Sequence, residues 1–164
     1  MRVLVAAGGT AGHVLPAIAL ARTLAEGGDE VRFIGTASGQ EARLVPAAGF
    51  PFRAIDARPI PRSVSLRMVA SAFADVRAIG ASRGPVRDAD VVVGFGGYAS
   101  VPVGLAAARS GRPLVLHEQN AVPGLATRLL ARRASFVALS FPEAAGAFGP
   151  RFATRFTGIP VRRP

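Results

Sequence analysis

The sequence predicts an α/β protein: a parallel sheet of about seven strands with helices on both faces. Three observations predict it. Short apolar runs, such as Val3 to Ala6 and Val91 to Val93, recur along the 164 residues without the alternation of a half-exposed strand. Segments with helical spacing separate these runs, so consecutive strands are joined by right-handed crossovers. Two of the runs lead directly into glycine-rich turns, which in such a sheet lie at the edge where ligands bind.

Residues 2–7 form the first strand, followed by Gly8, Gly9, Thr10, Ala11, Gly12 and His13, and a helix over 14–26 carries apolar Ile18, Leu20, Ala21 and Leu24. A strand, a glycine turn and a helix N-terminus make an anion site, because free N–H groups and the helix dipole face the loop. Gly8, Gly9 and Gly12 do not fit the dinucleotide fingerprint. Nor is this a P-loop, since no G-K-[ST] follows and the chain has no lysine. Thr10 and His13 place a hydroxyl and an imidazole at the loop mouth. The same residues also suit an ordinary tight turn whose histidine caps a helix, and the loop alone leaves both readings open.

Gly27 and Gly28 end that helix. Residues 31–34 are a second strand, 35–39 a polar turn, 40–48 a short helix cut late by Pro46, and 52–56 a third strand. A stiff basic loop over 58–62 leads into a helix over 63–82, which Ser63 is placed to cap. Leu66, Val69, Ala70, Phe73, Val76 and Gly80 form its buried stripe. Val64, Met68 and Ile79 widen the apolar surface, and Arg62, Arg67, Arg77 and Arg83 surround it. Two readings stay open here. One is a core helix with a solvated basic face; the other is docking to an anionic membrane surface through Arg62, Arg67, Met68, Phe73 and Arg77. Gly84 and Pro85 are expected to break the helix.

A fourth strand at 91–93 runs into Gly94, Phe95, Gly96, Gly97, Tyr98, Ala99 and Ser100, with a helix to about residue 109. Two glycine turns of this kind should open on the same sheet edge. The fifth strand, 114–116, ends in His117, Glu118, Gln119 and Asn120. Polar groups there are costly unless satisfied or used, so they either face the same crevice or cap and turn a helix over 124–133. A sixth strand at 136–139, a short helix after Pro142 and a seventh strand near 152–156 complete the pattern. Residues 1–157 are expected to be one domain and 158–164 the start of a linker.

The formal net charge is +10, and every one of the 20 basic residues is arginine. Such an excess favours anionic partners. The arginines are scattered, however, and do not interleave with aromatics as on a stacking platform, which argues against nucleic acid. The absence of cysteine excludes disulfides, thiolate metal sites and a cysteine nucleophile. No cluster of histidine and carboxylates has ligand spacing for a metal. No apolar run reaches the ~18 residues of a membrane span, and Gly8, Gly9 and His13 interrupt the run a signal peptide would need. A cytosolic setting is the expectation.

GGTAGH at 8–13, GFGGYAS at 94–100, HEQN at 117–120 and GIPVR at 158–162 occur in order. Together they resemble the N-terminal half of the MurG family of glycosyltransferases over essentially the whole chain. The resemblance implies a two-domain GT-B fold. Its Rossmann-like N-terminal half binds the acceptor, and a C-terminal domain, absent here, supplies most of the UDP-sugar site. It further implies peptidoglycan biosynthesis: inverting transfer of N-acetylglucosamine from UDP-N-acetylglucosamine to undecaprenyl-diphospho-muramoyl-pentapeptide (lipid I), giving lipid II. The setting implied is peripheral, at the cytoplasmic face of the bacterial inner membrane, with no cofactor and no protein-bound metal. Residue by residue, His13 becomes the general base with Glu118 in reserve. Thr10, Ala11, Gly12, Asn120 and Arg162 reach the donor, while Gly8, Gly9, Gly96, Gly97 and Tyr98 hold the acceptor diphosphate. The family often has glycine where Ala11 stands, and usually asparagine where Ile159 stands. The alternative is a non-catalytic membrane-docking or lipid-diphosphate-binding module that recruits a separate catalytic subunit.

Overall fold

In the computed structural model, residues 1–57 and 66–161 are described, residues 66–75 by backbone alone. The strands are β1 (Arg2–Ala6), β2 (Glu30–Thr36), β3 (Phe52–Ile55), β4 (Val91–Gly94), β5 (Leu114–Glu118), β6 (Phe136–Leu139) and β7 (Thr154–Phe156). They form one sheet in the order β3-β2-β1-β4-β5-β6-β7, and every neighbouring pair is parallel. The helices are α1 (Ala11–Glu26), α2 (Glu41–Ala47), α3 (Leu66–Asp88), α4 (Ser100–Arg109) and α5 (Leu125–Leu130), with 3-10 turns at Ala131–Arg133 and Pro142–Ala147.

The side-chain period of a strand splits the core in two. On one face Leu4, Ala6, Ile34, Val92 and Leu116 pack against Ala78 and Val86 of α3 and Val103 of α4. On the other, Val3, Val5, Phe33 and Val93 pack against Val14, Ala17 and Ile18 of α1 and against Val45 of α2. Strand order runs outward in both directions from the β1/β4 pair, where Val3 lies opposite Val91 and Ala6 opposite Gly94. The turns that follow β1 and β4 therefore emerge side by side at the carboxyl edge, the switch point where open α/β sheets bind ligands.

Three expectations fail in instructive ways. The first helix starts at Ala11 rather than residue 14, because Thr10 already has the extended conformation of an N-cap (φ −124°, ψ 155°). The third helix does not break at Gly84 and Pro85 but continues to Asp88. A proline in the last turn removes a single late rung, and this extension places Val86, which is fully buried, and Ala89 in the core. Over residues 76–88, the part of α3 whose side chains are described, the buried face is also rotated from the expected stripe. Val76 is 67% exposed, whereas Ala78, Ile79 and Ser82 are buried, and Gly80 faces solvent. Ser82 can lie on the buried face because its hydroxyl donates to Ala78 O at 2.7 Å.

Candidate functional site

The turn after β1 and the turn after β4 touch. Gly97 has φ +72°, and a Cβ there would overlap the carbonyl oxygen of Gly8, so only glycine permits this approach. Gly8 is as tightly enclosed: a Cβ on it would lie 2.9 Å from Ala99 Cβ. Phe95 N–H donates to Ala6 O (2.8 Å), and the buried Ser100 hydroxyl shares its hydrogen between Ala6 O (3.0 Å) and Gly96 O (2.5 Å). The second turn is thereby pinned to the end of the first strand.

His13 stands in the first turn of α1, not in the loop before it, and is half-buried. Its Nδ1 lies 2.9 Å from Thr10 Oγ1. Its other edge faces the second turn, where a Cβ on Gly96 would be 3.2 Å from His13 Cδ2 and 3.4 Å from Nε2. Burial lowers the pKa of this imidazole below its usual range, while the nearby charges of Glu118 and Glu41 push it up. Thr10 makes no side-chain cap bond, having turned its hydroxyl to His13. The N–H groups of Ala11 and Gly12 find no acceptor among the described residues, and neither do those of Gly8, Gly96 and Gly97. Ala11 has no positive φ, so its methyl group brings no backbone strain.

The third contributor is the end of β5, which extends through His117 and Glu118 rather than stopping at residue 116. Both are buried, at 5% and 2% exposure. Glu118 Oε1 accepts from Asn120 N–H (3.0 Å) and Asn120 Nδ2 (2.8 Å), and Oε2 accepts from Gly124 N–H (3.0 Å). The His117 ring stacks on Phe95 at 5.0 Å. Gln119 Nε2 donates to His117 Nδ1 (2.9 Å), so Nε2 carries the proton and donates to Gly158 O (3.1 Å). Desolvation lowers the pKa of His117, and the bond to Gly158 works against that.

Sequence reasoning missed Glu41. It is fully buried in the first turn of α2 and accepts from Gly9 N–H (3.0 Å), Thr36 N–H (2.8 Å) and the Thr36 hydroxyl (2.7 Å). Gly9 was expected to offer its N–H to a diphosphate; that donor is already engaged. Tyr98 is half-buried, with its hydroxyl 3.4 Å from Thr36 Oγ1. Thr10, Ala11, Gly12 and His13 thus meet Gly96, Gly97 and Tyr98 at one edge, with Glu118 and Asn120 beside them.

Arg62 and Arg162 lie outside the described residues, and Arg67, Met68 and Phe73 fall where α3 is described by backbone alone; Arg77 is exposed. Among the described residues no group of three His, Cys, Asp or Glu could hold a metal ion, and no helix is long and apolar enough to cross a membrane.

The profile of the glycosyltransferase family 28 N-terminal domain matches residues 3–139. The UDP-N-acetylglucosamine--N-acetylmuramyl-(pentapeptide) pyrophosphoryl-undecaprenol N-acetylglucosamine transferase of Shewanella amazonensis is 48% identical over 163 residues, covering 98% of this chain and 44% of that protein. The transferase of the same name from Moorella thermoacetica is 48% identical over 166 residues, covering 99% and 45%. The crystal structure of Acinetobacter baumannii MurG superposes with a TM-score of 0.83 at 33% identity, over 99% of this chain and 46% of that one. The chain therefore spans less than half the length of these relatives. Anabaena HepE with UDP-glucose, at 18% identity and a TM-score of 0.70, shares the fold.

Proposed function

We propose, from the premise that this chain belongs to glycosyltransferase family 28 through its N-terminal domain, that it is the acceptor-binding half of an inverting N-acetylglucosaminyltransferase. In this reading it acts with a C-terminal domain to transfer N-acetylglucosamine from UDP-N-acetylglucosamine to lipid I, making lipid II for peptidoglycan. The observation that carries the reading is the meeting of two glycine turns around one imidazole, with Gly96 against the Nε2 edge of His13. Relatives more than twice as long, and named as transferases, support an enzyme half over a self-standing docking module.

The residues divide the work as follows. The free N–H groups of Gly8, Gly96 and Gly97 hold the acceptor diphosphate, with Tyr98 at its flank. In the tautomer that donates Nδ1–H to Thr10 Oγ1, the one the base role requires, His13 presents the Nε2 lone pair toward the second turn. Burial favours the neutral imidazole, so it is ready to accept a proton near neutral pH. The acceptor 4-hydroxyl attacks the anomeric carbon, His13 Nε2 takes its proton, and the bond to UDP breaks. Glu118, saturated by three N–H donors, orients the corner and is the weaker candidate for base. On the donor side, Ala11 and Gly12 offer the first N–H groups of α1, with Thr10, Asn120 and Arg162 beside them.

A peripheral position at the cytoplasmic face of the inner membrane completes the reading, through Arg62, Arg67, Met68, Phe73 and Arg77. Arg77 is exposed next to exposed Val76, the apolar-basic adjacency expected of a lipid-facing surface.

The test is a transfer assay with UDP-N-acetylglucosamine and a short-chain lipid I analogue, using this chain joined to the C-terminal domain of such a transferase. Lipid II analogue should form with the joined protein and not with this chain alone. Absence of product from a folded, joined protein overturns the proposal.

A further inference from the structure

We infer that Glu41 is a positioning residue that locks the two glycine turns to each other. This rests on reading those turns as the diphosphate site. The carboxylate binds the first turn and the end of β2 at once, taking Gly9 N–H from the turn and both donors of Thr36 from the strand. Because the Thr36 hydroxyl gives its hydrogen to Glu41, Thr36 Oγ1 is left to accept from Tyr98 O–H at 3.4 Å. Tyr98 belongs to the second turn and lies against the first: a Cβ on Gly9 would sit 3.4 Å from its ring. A continuous chain of contacts thus runs from Gly9 through Glu41 and Thr36 to Tyr98.

The surrounding sequence is shaped to admit this carboxylate. A Cβ on Gly8 would lie 2.9 Å from Glu41 Oε1, one on Gly35 would lie 2.5 Å from Cγ, and one on Gly39 would overlap both oxygens. Three glycines on three segments vacate the space the side chain fills. A fully buried carboxylate persists only where strong donors replace water, and three do so here. Its negative charge works against holding a diphosphate nearby, so its contribution to the site is geometric. It withdraws Gly9 N–H from any ligand and fixes where Gly8, Gly96 and Gly97 present theirs. The same charge supports the proton affinity of His13.

The experiment compares Glu41→Gln with the unaltered 164-residue chain by 15N amide spectra, then titrates both with inorganic pyrophosphate and a short-chain polyprenyl diphosphate. Glutamine keeps the shape but turns an NH2 group against an N–H donor. Amide shifts are expected at Gly9 and Thr36 and also, across the contact chain, at Gly96 and Gly97. Loss of one such bond should weaken polyprenyl diphosphate binding by about tenfold. Thr36→Val keeps the carboxylate and its bonds to Gly9 N–H and Thr36 N–H, but removes the hydroxyl that joins it to Tyr98. It supplies the answer if Glu41→Gln does not fold, and should move Gly97 and Tyr98 amides with Gly9 nearly unmoved. Second-turn amides that stay in place in every folded variant overturn the inference. If they move but the unaltered chain binds neither probe, the positioning role stands and the diphosphate reading fails.

Discussion

Two corners of the same sheet edge, the turn after β1 and the corner after β5, look alike in sequence and behave differently in space. Both bring a histidine and other polar side chains to the carboxyl end of a buried strand. At the β5 corner those groups satisfy one another: Glu118 binds Asn120 and Gly124, and His117 binds Gln119 and Gly158. At the β1 corner His13 has one partner, Thr10, and the N–H groups of Gly8, Ala11 and Gly12 have none among the described residues. A self-satisfied corner is a brace, and an under-satisfied one offers itself to a ligand. Polarity at a strand end is thus a poor guide to function until its partners are known.

The sharpest way to break this contrast is to exchange the two histidines for alanine in the joined enzyme. His13→Ala should lower kcat by about 10²–10⁴-fold with donor KM nearly unchanged, the loss expected of a general base. His117→Ala should act mainly on stability, lowering it by about 1–3 kcal/mol as Gly158 O loses the imidazole donor and Gln119 its acceptor. Similar kinetics for the two variants would erase the distinction between base and brace.

Gly97→Ala should come next. It forces a side chain into φ +72° and against Gly8 O, with strain of about 1–3 kcal/mol visible as a lower unfolding midpoint in urea. Polyprenyl diphosphate binding should fall with it. Glu118→Gln should reduce stability by about 1–3 kcal/mol, because one of three N–H donors then faces an amide. Turnover should fall less than in His13→Ala. Turnover abolished with the unfolding midpoint unchanged would make Glu118 the base.

The smallest effect concerns pH. Burial holds both His13 and His117 below their ordinary value of 6.5, so protons bind the unfolded chain more readily. Stability should be complete above pH 6.5 and decline as pH falls through the folded values. His117→Asn should flatten part of that decline in a series of thermal midpoints. A midpoint that rises on acidification would contradict the burial argument.

The sheet was legible because its strands are short apolar runs between helical segments, and the β6 run at 136–139 matches residue for residue. The meeting of the two glycine turns was legible for the same reason, as parallel strands carry their following turns to one edge. Three features escaped for physical reasons. The start of α1 depended on the backbone of Thr10, which caps by its extended conformation although its hydroxyl accepts no helix N–H, and the glycines around it obscured that boundary. The buried face of α3 includes Ser82, a polar residue admitted by a bond to its own helix. Glu41 carries no local sign of its role, because its partners, Gly9 and Thr36, come from two other segments. Glycines at 35 and 39, flanking an otherwise unremarked turn, were the available signal.

The most direct measurement is a 15N and imidazole chemical-shift titration of this chain with a short-chain polyprenyl diphosphate. The account predicts that Gly8, Gly96 and Gly97 amides and the His13 ring shift together along one binding curve, with His117 moving little. Saturable shifts confined to the β5 corner, or to a surface away from both turns, would contradict it.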